Sequence, residues 1–202
     1  MESKDTYRTI SSKTEPVLFK DKNSKFFGYA FPVLNDLEIK IHLETLKKEH
    51  HAARHWCYAY QLGTEKIAYR ANDDGEPNNS AGIPIYGQIQ SFDVTNVLIV
   101  VVRYFGGVKL GVGGLINAYK TAAQMALEHS KIIEKTINVD YLLTFDYKNM
   151  NTVMRIIKEK NLKITNQKLE LACQISISVR KKDAQSIFES FNRLFEIDIK
   201  AL

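Results

Sequence analysis

A chain of 202 residues has room for one large domain or two small ones, and a composition of 45% hydrophobic and 25% charged residues is that of a globular protein. The net charge of +5 is mild, so it is compatible with RNA or ribosome contact but does not establish it. The sequence has no apolar run near the ~20 residues of a membrane span and no signal peptide in its polar first fifteen residues. Two cysteines far apart in sequence indicate reduced thiols, so we expect a cytoplasmic protein.

The first part of the chain predicts a mixed α/β domain in which strands alternate with helices. Asn35 and Glu38 have the spacing of a capping box, which predicts that a helix begins there. A near-continuous apolar run over 97–102 predicts a buried strand, and helix-spaced apolar residues beyond it predict a second long helix. In chain order we expect strands at 17–19 and 26–31, a helix ending near His50, a hairpin of 56–62 and 66–71, a short helix from about Ala81, a strand at 97–102 and a helix ending near Ser130.

The composition changes in the last third of the chain. All ten glycines lie at or before Gly114, and no proline follows Pro84. We therefore expect two domains, 1–136 and 137–202, and an α+β fold overall. In the second domain we expect a strand at 139–145, a helix at 149–160, strands at 162–165 and 171–179, a helix around 187–194 and a strand at 197–199. The order β-α-β-β-α-β is that of a ferredoxin-like split βαβ domain.

The glycine-rich segment after the predicted buried strand is the strongest functional signal. Five glycines fall within 106–114, and Arg103 and Lys109 add positive charge at the two ends of the loop. Backbone N–H groups of such a loop, together with a helix N-terminus, form a natural anion site. Alternatively, the glycines serve only a tight connection between strand and helix. The residues predicted to bind a phosphate or another ligand are Ser80, Arg103, Tyr104, Phe105, Gly106, Gly107, Lys109, Gly111, Gly113 and Gly114.

The segment departs from both common nucleotide-binding fingerprints. A P-loop would need Lys and Ser or Thr where Val112 and Gly113 stand, and the dinucleotide fingerprint would need glycine in place of Ile116. Ordinary ATP or NAD chemistry is therefore disfavoured. A phosphate-bearing or other anionic partner remains the expectation.

A second candidate region holds three carboxylates in four positions, at Asp73, Asp74 and Glu76. Such a cluster can hold Mg²⁺ or supply a general base, although the same residues are also ordinary turn chemistry. Ser80 is expected to cap the following helix. His55 can donate to a phosphate or shuttle a proton, or alternatively serve as a structural histidine. The candidate catalytic residues are therefore His55, Asp74 and Glu76. No metal site is assigned and no cofactor is expected. Mg²⁺ at the 73–76 carboxylates is the one candidate ion.

Positive charge is concentrated in the second predicted domain. Residues 155–182 hold eight basic side chains and two acidic ones. Some of these cations can contact phosphates of a nucleic acid, or alternatively they form a solvated lysine-rich face. The candidate residues for a nucleic-acid surface are Arg155, Lys158, Lys163, Arg180, Lys181 and Lys182.

Taken together, these motifs resemble the IMPACT/YigZ family. The resemblance rests on Asp74-Gly75-Glu76-Pro77 with Ser80-Ala81-Gly82-x-Pro84, and on the block from Val101 to Tyr119 that contains the glycines. Ser24-Lys25-Phe26 and Ala53-x-His55 resemble earlier family segments. The match spans about residues 16–130, and the tail resembles the extra C-terminal domain of bacterial two-domain members. One departure is Ser80, where bacterial relatives usually have threonine.

The resemblance implies a first domain like the second domain of a small-subunit ribosomal protein and a second domain like the last domain of elongation factor G. It also implies a connection with translation or RNA. Eukaryotic relatives restrain activation of the amino-acid-starvation kinase by competing for its activator. Much of that interaction belongs to an additional N-terminal domain of those relatives, so the kinase role is not expected to transfer.

Three functions follow, in this order. The first is a translation-associated regulatory or accessory protein that binds RNA, the ribosome or a translation factor through the glycine-loop face and the basic second domain, without catalysis. The second is an enzyme acting on a phosphorylated or nucleotide substrate, which predicts that the 73–84 loop, the 103–114 loop and His55 meet in one cleft. The third is a protein-interaction adaptor with an exposed apolar patch. The oligomeric state is left open.

Overall fold

The computed structural model describes residues 5–202, whose contacts divide them into two compact units. The N-terminal unit is residues 7–135. The C-terminal unit is residues 136–202 together with Asp5 and Thr6. No helix among the described residues combines the length and apolar character needed to cross a membrane.

The N-terminal unit is built on a five-stranded sheet with a helix layer on each face. The strand order is β2-β3-β6-β4-β5, and all neighbouring strands are antiparallel. Helix α1 packs on one face, and helices α2 and α3 pack on the other. The elements are β1 Thr6–Ile10, β2 Val17–Asp21, β3 Ser24–Pro32, α1 Asp36–Glu49, β4 His55–Leu62, β5 Ala68–Asn72, α2 Gly82–Ser91, β6 Val97–Tyr104, α3 Gly111–Glu128 and β7 Ile132–Thr136.

Strand β6 lies at the centre of this sheet, and its apolar run explains why it does. Side chains alternate between the two faces of a strand. Val97, Ile99 and Val101 enter the core under α2 and α3, whereas Leu98 and Val100 enter the core under α1. The prediction of a buried strand is confirmed.

The predicted capping box opens α1, with one change in its partners. The Asn35 side chain accepts from the Glu38 N–H at 3.0 Å, as expected for an N-cap. The Glu38 carboxylate reaches back to the N–H of Leu34 at 2.8 Å instead of that of Asn35. The box therefore satisfies donors on both sides of the cap.

Strands β1 and β7 are not predicted from any sequence pattern, and they pair with each other in a two-stranded sheet. They lie more than a hundred residues apart, and β7 contains the polar sequence Glu-Lys-Thr. Its residues are half-buried or exposed, so it lacks the alternation that reveals a strand.

The C-terminal unit contains the predicted order of elements, β-α-β-β-α-β. Its antiparallel sheet has the order β11-β8-β10-β9. Leu143, Ile175, Ile177 and Phe191 are among the buried side chains of its core. The elements are β8 Asn138–Asp146, a 3-10 turn Tyr147–Asn149, α4 Met150–Glu159, β9 Lys163–Lys168, β10 Ala172–Arg180, α5 Lys181–Asn192 and β11 Ile197–Ala201. The mixed α/β architecture with two units agrees with the predicted α+β class.

Candidate functional site

The pairing of β4 with β6 brings His55 beside Arg103. His55 lies directly opposite Arg103 in the antiparallel register, and Phe26 of β3 lies opposite Arg103 on the other side. Residues that face each other across strands project from the same face of the sheet. The Arg103 guanidinium carbon is 5.4 Å from the centre of the Phe26 ring and 5.5 Å from that of Phe105. Both distances are within the range of cation–π attraction.

Glu76 accepts hydrogen bonds from the side chains of Arg103 and Tyr119. Its side chain is 5% exposed, and its Oε1 accepts from Nη1 of Arg103 at 2.6 Å and from the Tyr119 hydroxyl at 2.8 Å. Nε2 of His55 is 4.0 Å from the same oxygen. Burying a carboxylate is costly unless it is paired and hydrogen-bonded. Arg103 and Tyr119 therefore make the burial of Glu76 possible.

The orientation of His55 follows from its other nitrogen. Nδ1 is 2.9 Å from the backbone oxygen of Asp74, and a carbonyl oxygen can only accept. We therefore assign the ring proton to Nδ1. In the neutral ring, Nε2 then has a free lone pair near Glu76.

The three predicted carboxylates do not converge on one point. Asp73 accepts from the N–H groups of Ala81 and Gly82 at 2.9 and 2.8 Å, and Asp74 accepts from the N–H of Trp56 at 2.7 Å. Among residues 5–202 no group of three or more His, Cys, Asp or Glu side chains is placed to hold a metal ion. Asp73 and Asp74 hold backbone N–H groups, and the Mg²⁺ site at 73–76 and the role of Asp74 as a base stay predictions.

The prediction that Ser80 caps α2 is wrong. Ser80 is fully buried, and its hydroxyl donates to the backbone oxygen of Pro77 at 2.6 Å. The N–H groups at the start of α2 are satisfied by Asp73 instead, eight and nine positions earlier. The predicted ligand-binding role of Ser80 is corrected for the same reason, since its side chain faces the loop interior.

Two buried side chains adjoin the site without having been predicted. The Cys57 thiol donates to the backbone oxygen of Asp73 at 2.9 Å, and Tyr119 donates to Glu76. Burial raises the pKa of both groups, so they remain protonated donors at neutral pH. Tyr119 lies on the buried apolar face of α3. Its place in the glycine-block motif was the one available signal.

The residues of the two predicted loops meet at a pocket of about 440 Å³. His55, Glu76 and Arg103 form part of its wall, and the exposed cations Arg54 and Lys109 also line it. The structure therefore brings together the 73–84 loop, the 103–114 loop and His55. Arg54 is an addition that the sequence analysis missed, although it directly precedes His55.

The remaining wall is apolar and lies at the start of α3. Leu110 and Val112 line it together with Phe105, whose side chain is exposed. Gly111 begins the helix with a positive φ of 73°. Gly111 and Gly113 therefore belong to the first turn of α3 and not to the loop before it.

Residues 22–127 match the family model described as the Impact N-terminal domain, slightly more than half of the chain. The chain belongs to the IMPACT family. It is 30% identical to an IMPACT family member of Haemophilus influenzae over 84% of each chain. It is also 28% identical to the IMPACT family member YvyE of Bacillus subtilis, over 94% of this chain and 87% of that protein. A crystal structure described as that of a hypothetical protein aligns with a TM-score of 0.74 at 24% identity, covering 98% of both chains, and therefore has a similar fold.

The range matched to the IMPACT family model contains the whole wall of the pocket. The wall extends from Arg54 to Leu115, within the N-terminal unit. Residues 136–202 lie outside the matched range. The pocket therefore lies wholly within the part of the chain that matches the family model.

Several predicted ligand-binding residues of this IMPACT family chain lie away from the pocket. Tyr104 projects to the opposite face of the sheet from Arg103, and its hydroxyl is 3.0 Å from Nδ1 of His50. Its predicted ligand contact is corrected because side chains alternate along β6. Gly106 lies against the backbone of Asn23 and Ser24, so it serves packing. The other predicted glycines outside the wall are Gly107, Gly113 and Gly114.

The predicted basic residues of the C-terminal unit differ in their exposure and in their ion pairs. Nε of Arg180 is 2.6 Å from the Asp5 carboxylate, and this contact lowers the pKa of Asp5. The charge of Arg180 is therefore compensated by Asp5, and its contact with nucleic acid stays a prediction. Arg155 makes a loose ion pair with Glu159 at 3.6 Å, and Lys181 is half-buried. The exposed members of the set are Arg155, Lys158, Lys163 and Lys182.

Proposed function

We propose that this IMPACT family chain is a translation-associated regulatory or accessory protein that acts in the cytoplasm by binding RNA, the ribosome or a translation factor. The observation that carries the proposal is the positive character of the pocket mouth. Exposed Arg54 and Lys109 lie there beside the start of α3, an 18-residue helix whose N-terminus favours anions. RNA presents phosphates that such groups bind without reading sequence.

The C-terminal unit supplies further cations for the same partner. We propose that Arg155, Lys158, Lys163 and Lys182 contact phosphates, because they are exposed and belong to a segment of strongly positive charge. The order β-α-β-β-α-β supports a ferredoxin-like assignment for this unit. We also propose that this unit resembles the last domain of elongation factor G, and that the N-terminal unit resembles the second domain of a small-subunit ribosomal protein.

Co-sedimentation with ribosomes and ribosomal subunits tests the proposal. We expect the protein to pellet with them at about 50 mM salt and to be released at about 200 mM, since phosphate contacts weaken steeply with salt. Lys109→Ala removes one exposed cation from the pocket mouth. We expect it to weaken binding and to lower the slope of log K against log salt by about one.

Lys120→Ala is the matched control, because Lys120 is an exposed lysine within α3 that lies outside the pocket wall. An equal loss in both variants would mean that only net charge matters, and would overturn the assignment of the binding site to the glycine-loop face. Failure of the unmodified protein to pellet at the lower salt concentration would overturn the proposed function itself.

One observation favours a second function, catalysis on a phosphorylated or nucleotide substrate. Nε2 of His55 is 4.0 Å from Glu76, and both line the pocket together with three cations. An imidazole beside a carboxylate is suited to general acid–base catalysis. Turnover of a phosphorylated metabolite or nucleotide by the protein, lost in His55→Gln, would favour this function over binding alone.

A further inference from the structure

We propose that the pocket of the N-terminal unit binds the dianion of a phosphomonoester, with the organic part of the ligand against Phe105 and Val112. The inference goes beyond contact with an RNA backbone, because it names a terminal phosphate on a body of small-ligand size. It depends on the pocket alone and requires neither ribosome binding nor catalysis.

The charges of the wall match a dianion. Glu76 is the only carboxylate among the described residues that line the pocket, and it forms an ion pair with Arg103. The other two cations of the wall are Arg54 and Lys109, and within residues 5–202 neither forms an ion pair. A phosphomonoester carries a charge of about −1.5 to −2 at neutral pH. The pocket therefore offers two positive charges to a group with two negative ones.

Backbone donors at the start of α3 reinforce this match. The N-cap is Leu110, whose side chain offers no acceptor to the first N–H groups of the helix. A Cβ atom built on Gly111 or Gly113 would meet no described atom within 4 Å apart from its chain neighbours and the backbone of its own helix, so the space beside these backbone groups is open. A phosphate in this space would accept from N–H groups at the positive end of the helix.

A second and independent observation points to a ligand. Arg103 is 5% exposed and forms part of the pocket wall. Its Nε is buried, and within residues 5–202 it has no hydrogen-bond partner. Buried donors are nearly always paired, so the unpaired N–H of this wall residue favours an acceptor supplied from the pocket. A phosphate oxygen would supply that acceptor.

The depth of Arg103 favours a terminal phosphate over an internal one. An internal phosphodiester continues as chain on both sides, so it runs along a surface and does not insert into a pocket. A terminal phosphate can enter end-on towards the buried Nε. The volume of about 440 Å³ is suited to a small ligand. Phe105 and Val112, 45% and 54% exposed, offer apolar contact to its body.

Isothermal titration of the full chain with matched probes tests the proposal. The probes are a nucleoside 5′-monophosphate, the same nucleoside without phosphate, inorganic phosphate, and a short RNA with either a 5′-phosphate or a 5′-hydroxyl. We expect the monophosphate to bind at least about tenfold more tightly than the nucleoside, because the phosphate makes several charge-assisted hydrogen bonds. Equal affinity of phosphorylated and unphosphorylated probes, or no binding at millimolar concentration, overturns the proposal.

Two variants separate binding from folding. Lys109→Gln removes one cation and should lower the affinity for the nucleoside monophosphate by about tenfold. Val112→Asp places a carboxylate in the first turn of α3, where it favours the helix but repels a phosphate. We expect this variant to lose binding while keeping its thermal midpoint, and Lys120→Gln to bind as the unmodified protein does. Unchanged binding in Val112→Asp overturns the assignment to this pocket.

The same experiment distinguishes the sources of the phosphate. Tighter binding of 5′-phosphorylated RNA than of the mononucleotide supports the proposal with an RNA end as the ligand, and the reverse order supports it with a free metabolite. Monophosphate binding without ribosome co-sedimentation leaves this inference standing and overturns the proposed function. Co-sedimentation without binding of any phosphorylated probe overturns this inference and leaves the proposed function standing.

Discussion

A single oxygen of Glu76 accepts from both Arg103 and Tyr119, and the pair with Arg103 is almost completely buried. Glu76→Ala would leave the Arg103 cation in the protein interior without its carboxylate. Removing one partner of a buried ion pair costs about 3–5 kcal/mol, so we expect a loss of that order in the free energy of unfolding. Urea unfolding at neutral pH measures it.

Glu44→Ala is the control for this prediction. Glu44 pairs with Lys40 at 4.0 Å, and both side chains are more than half exposed. Exposed pairs contribute at most about 1 kcal/mol, so this variant should unfold close to the unmodified protein. A loss for Glu76→Ala no larger than that of Glu44→Ala would show that the buried pair contributes little.

His50 makes the stability depend on pH on the acid side. Its ring nitrogens are 2.5 Å from the Tyr29 hydroxyl and 3.0 Å from the Tyr104 hydroxyl. Burial lowers the pKa of His50, against an opposite and smaller effect of Glu49. Because the unfolded chain then binds more protons, this contribution is fully present above about pH 6.5 and is lost as the pH falls towards the folded pKa. The pKa of His42 is also lowered by burial and acts in the same direction.

We therefore expect the free energy of unfolding to fall through the acid range below about pH 6.5, and to fall less steeply in His50→Gln, which has one titrating group fewer. Urea unfolding across this range measures the slope. Proton NMR of the His50 ring in the folded protein measures its pKa directly. An NMR midpoint at or above the ordinary histidine value would contradict the prediction.

At the residue scale, sequence patterns identify the charged groups of the site but not the groups that position them. His55, Glu76 and Arg103 belong to polar motifs that stand out in an apolar context. Tyr119 occupies an apolar helix position, and only the fold shows that its hydroxyl reaches Glu76. Asp73 caps a helix across a loop, which requires the backbone conformation of the intervening residues.

At the element scale, the connection between β6 and α3 uses its glycines for different purposes. A Cβ atom on Gly106 would lie 2.1 Å from the backbone carbon of Asn23, so the loop has to approach the β2–β3 turn without a side chain. Gly113 lies in the first turn of α3, and a Cβ there would meet no described atom within 4 Å apart from its chain neighbours and the backbone of its own helix. The first glycine is required by packing, whereas the second is not.

These two positions give opposite predictions for the same substitution. Gly106→Ala should destabilise the protein, because backbone must move to admit the methyl group. Gly113→Ala should stabilise it by about 0.5–1 kcal/mol, the usual advantage of alanine over glycine in a helix. Thermal and urea unfolding of the two variants measure both effects. A stabilising Gly106→Ala would contradict the packing role of that glycine.

The elements that sequence patterns reveal are those with strong apolar periodicity. Strand β6 is apolar on both faces, and β10 alternates cleanly, so both are predicted. Strands β1 and β7 lack such a pattern, because each is defined by pairing with a distant partner. Helix α3 is predicted from its apolar face, but its first residue is not, since nothing in a glycine-rich run marks where helical geometry begins.

At the scale of the whole molecule, the chain builds separate apolar cores. The buried cluster of the C-terminal unit is drawn from residues 141–199, and those of the N-terminal unit from residues 10–127. The composition shift after Gly114 predicts two domains from the sequence. It does not predict that Asp5 pairs with Arg180, because that contact joins positions 175 residues apart.

Separate cores predict separate responses to a core truncation. Phe191 is fully buried in the C-terminal unit, so Phe191→Ala should cost that unit about 3–5 kcal/mol. Hydrogen exchange should then accelerate in β8, β10 and α5, while amides of β6 keep their protection, since none of their side chains belongs to the disrupted cluster. Phe195→Ala is the matched control, because the Phe195 side chain is fully exposed and its truncation should leave exchange unchanged. Loss of protection in β6 on Phe191→Ala would mean that the two units unfold as one cooperative body despite their separate cores.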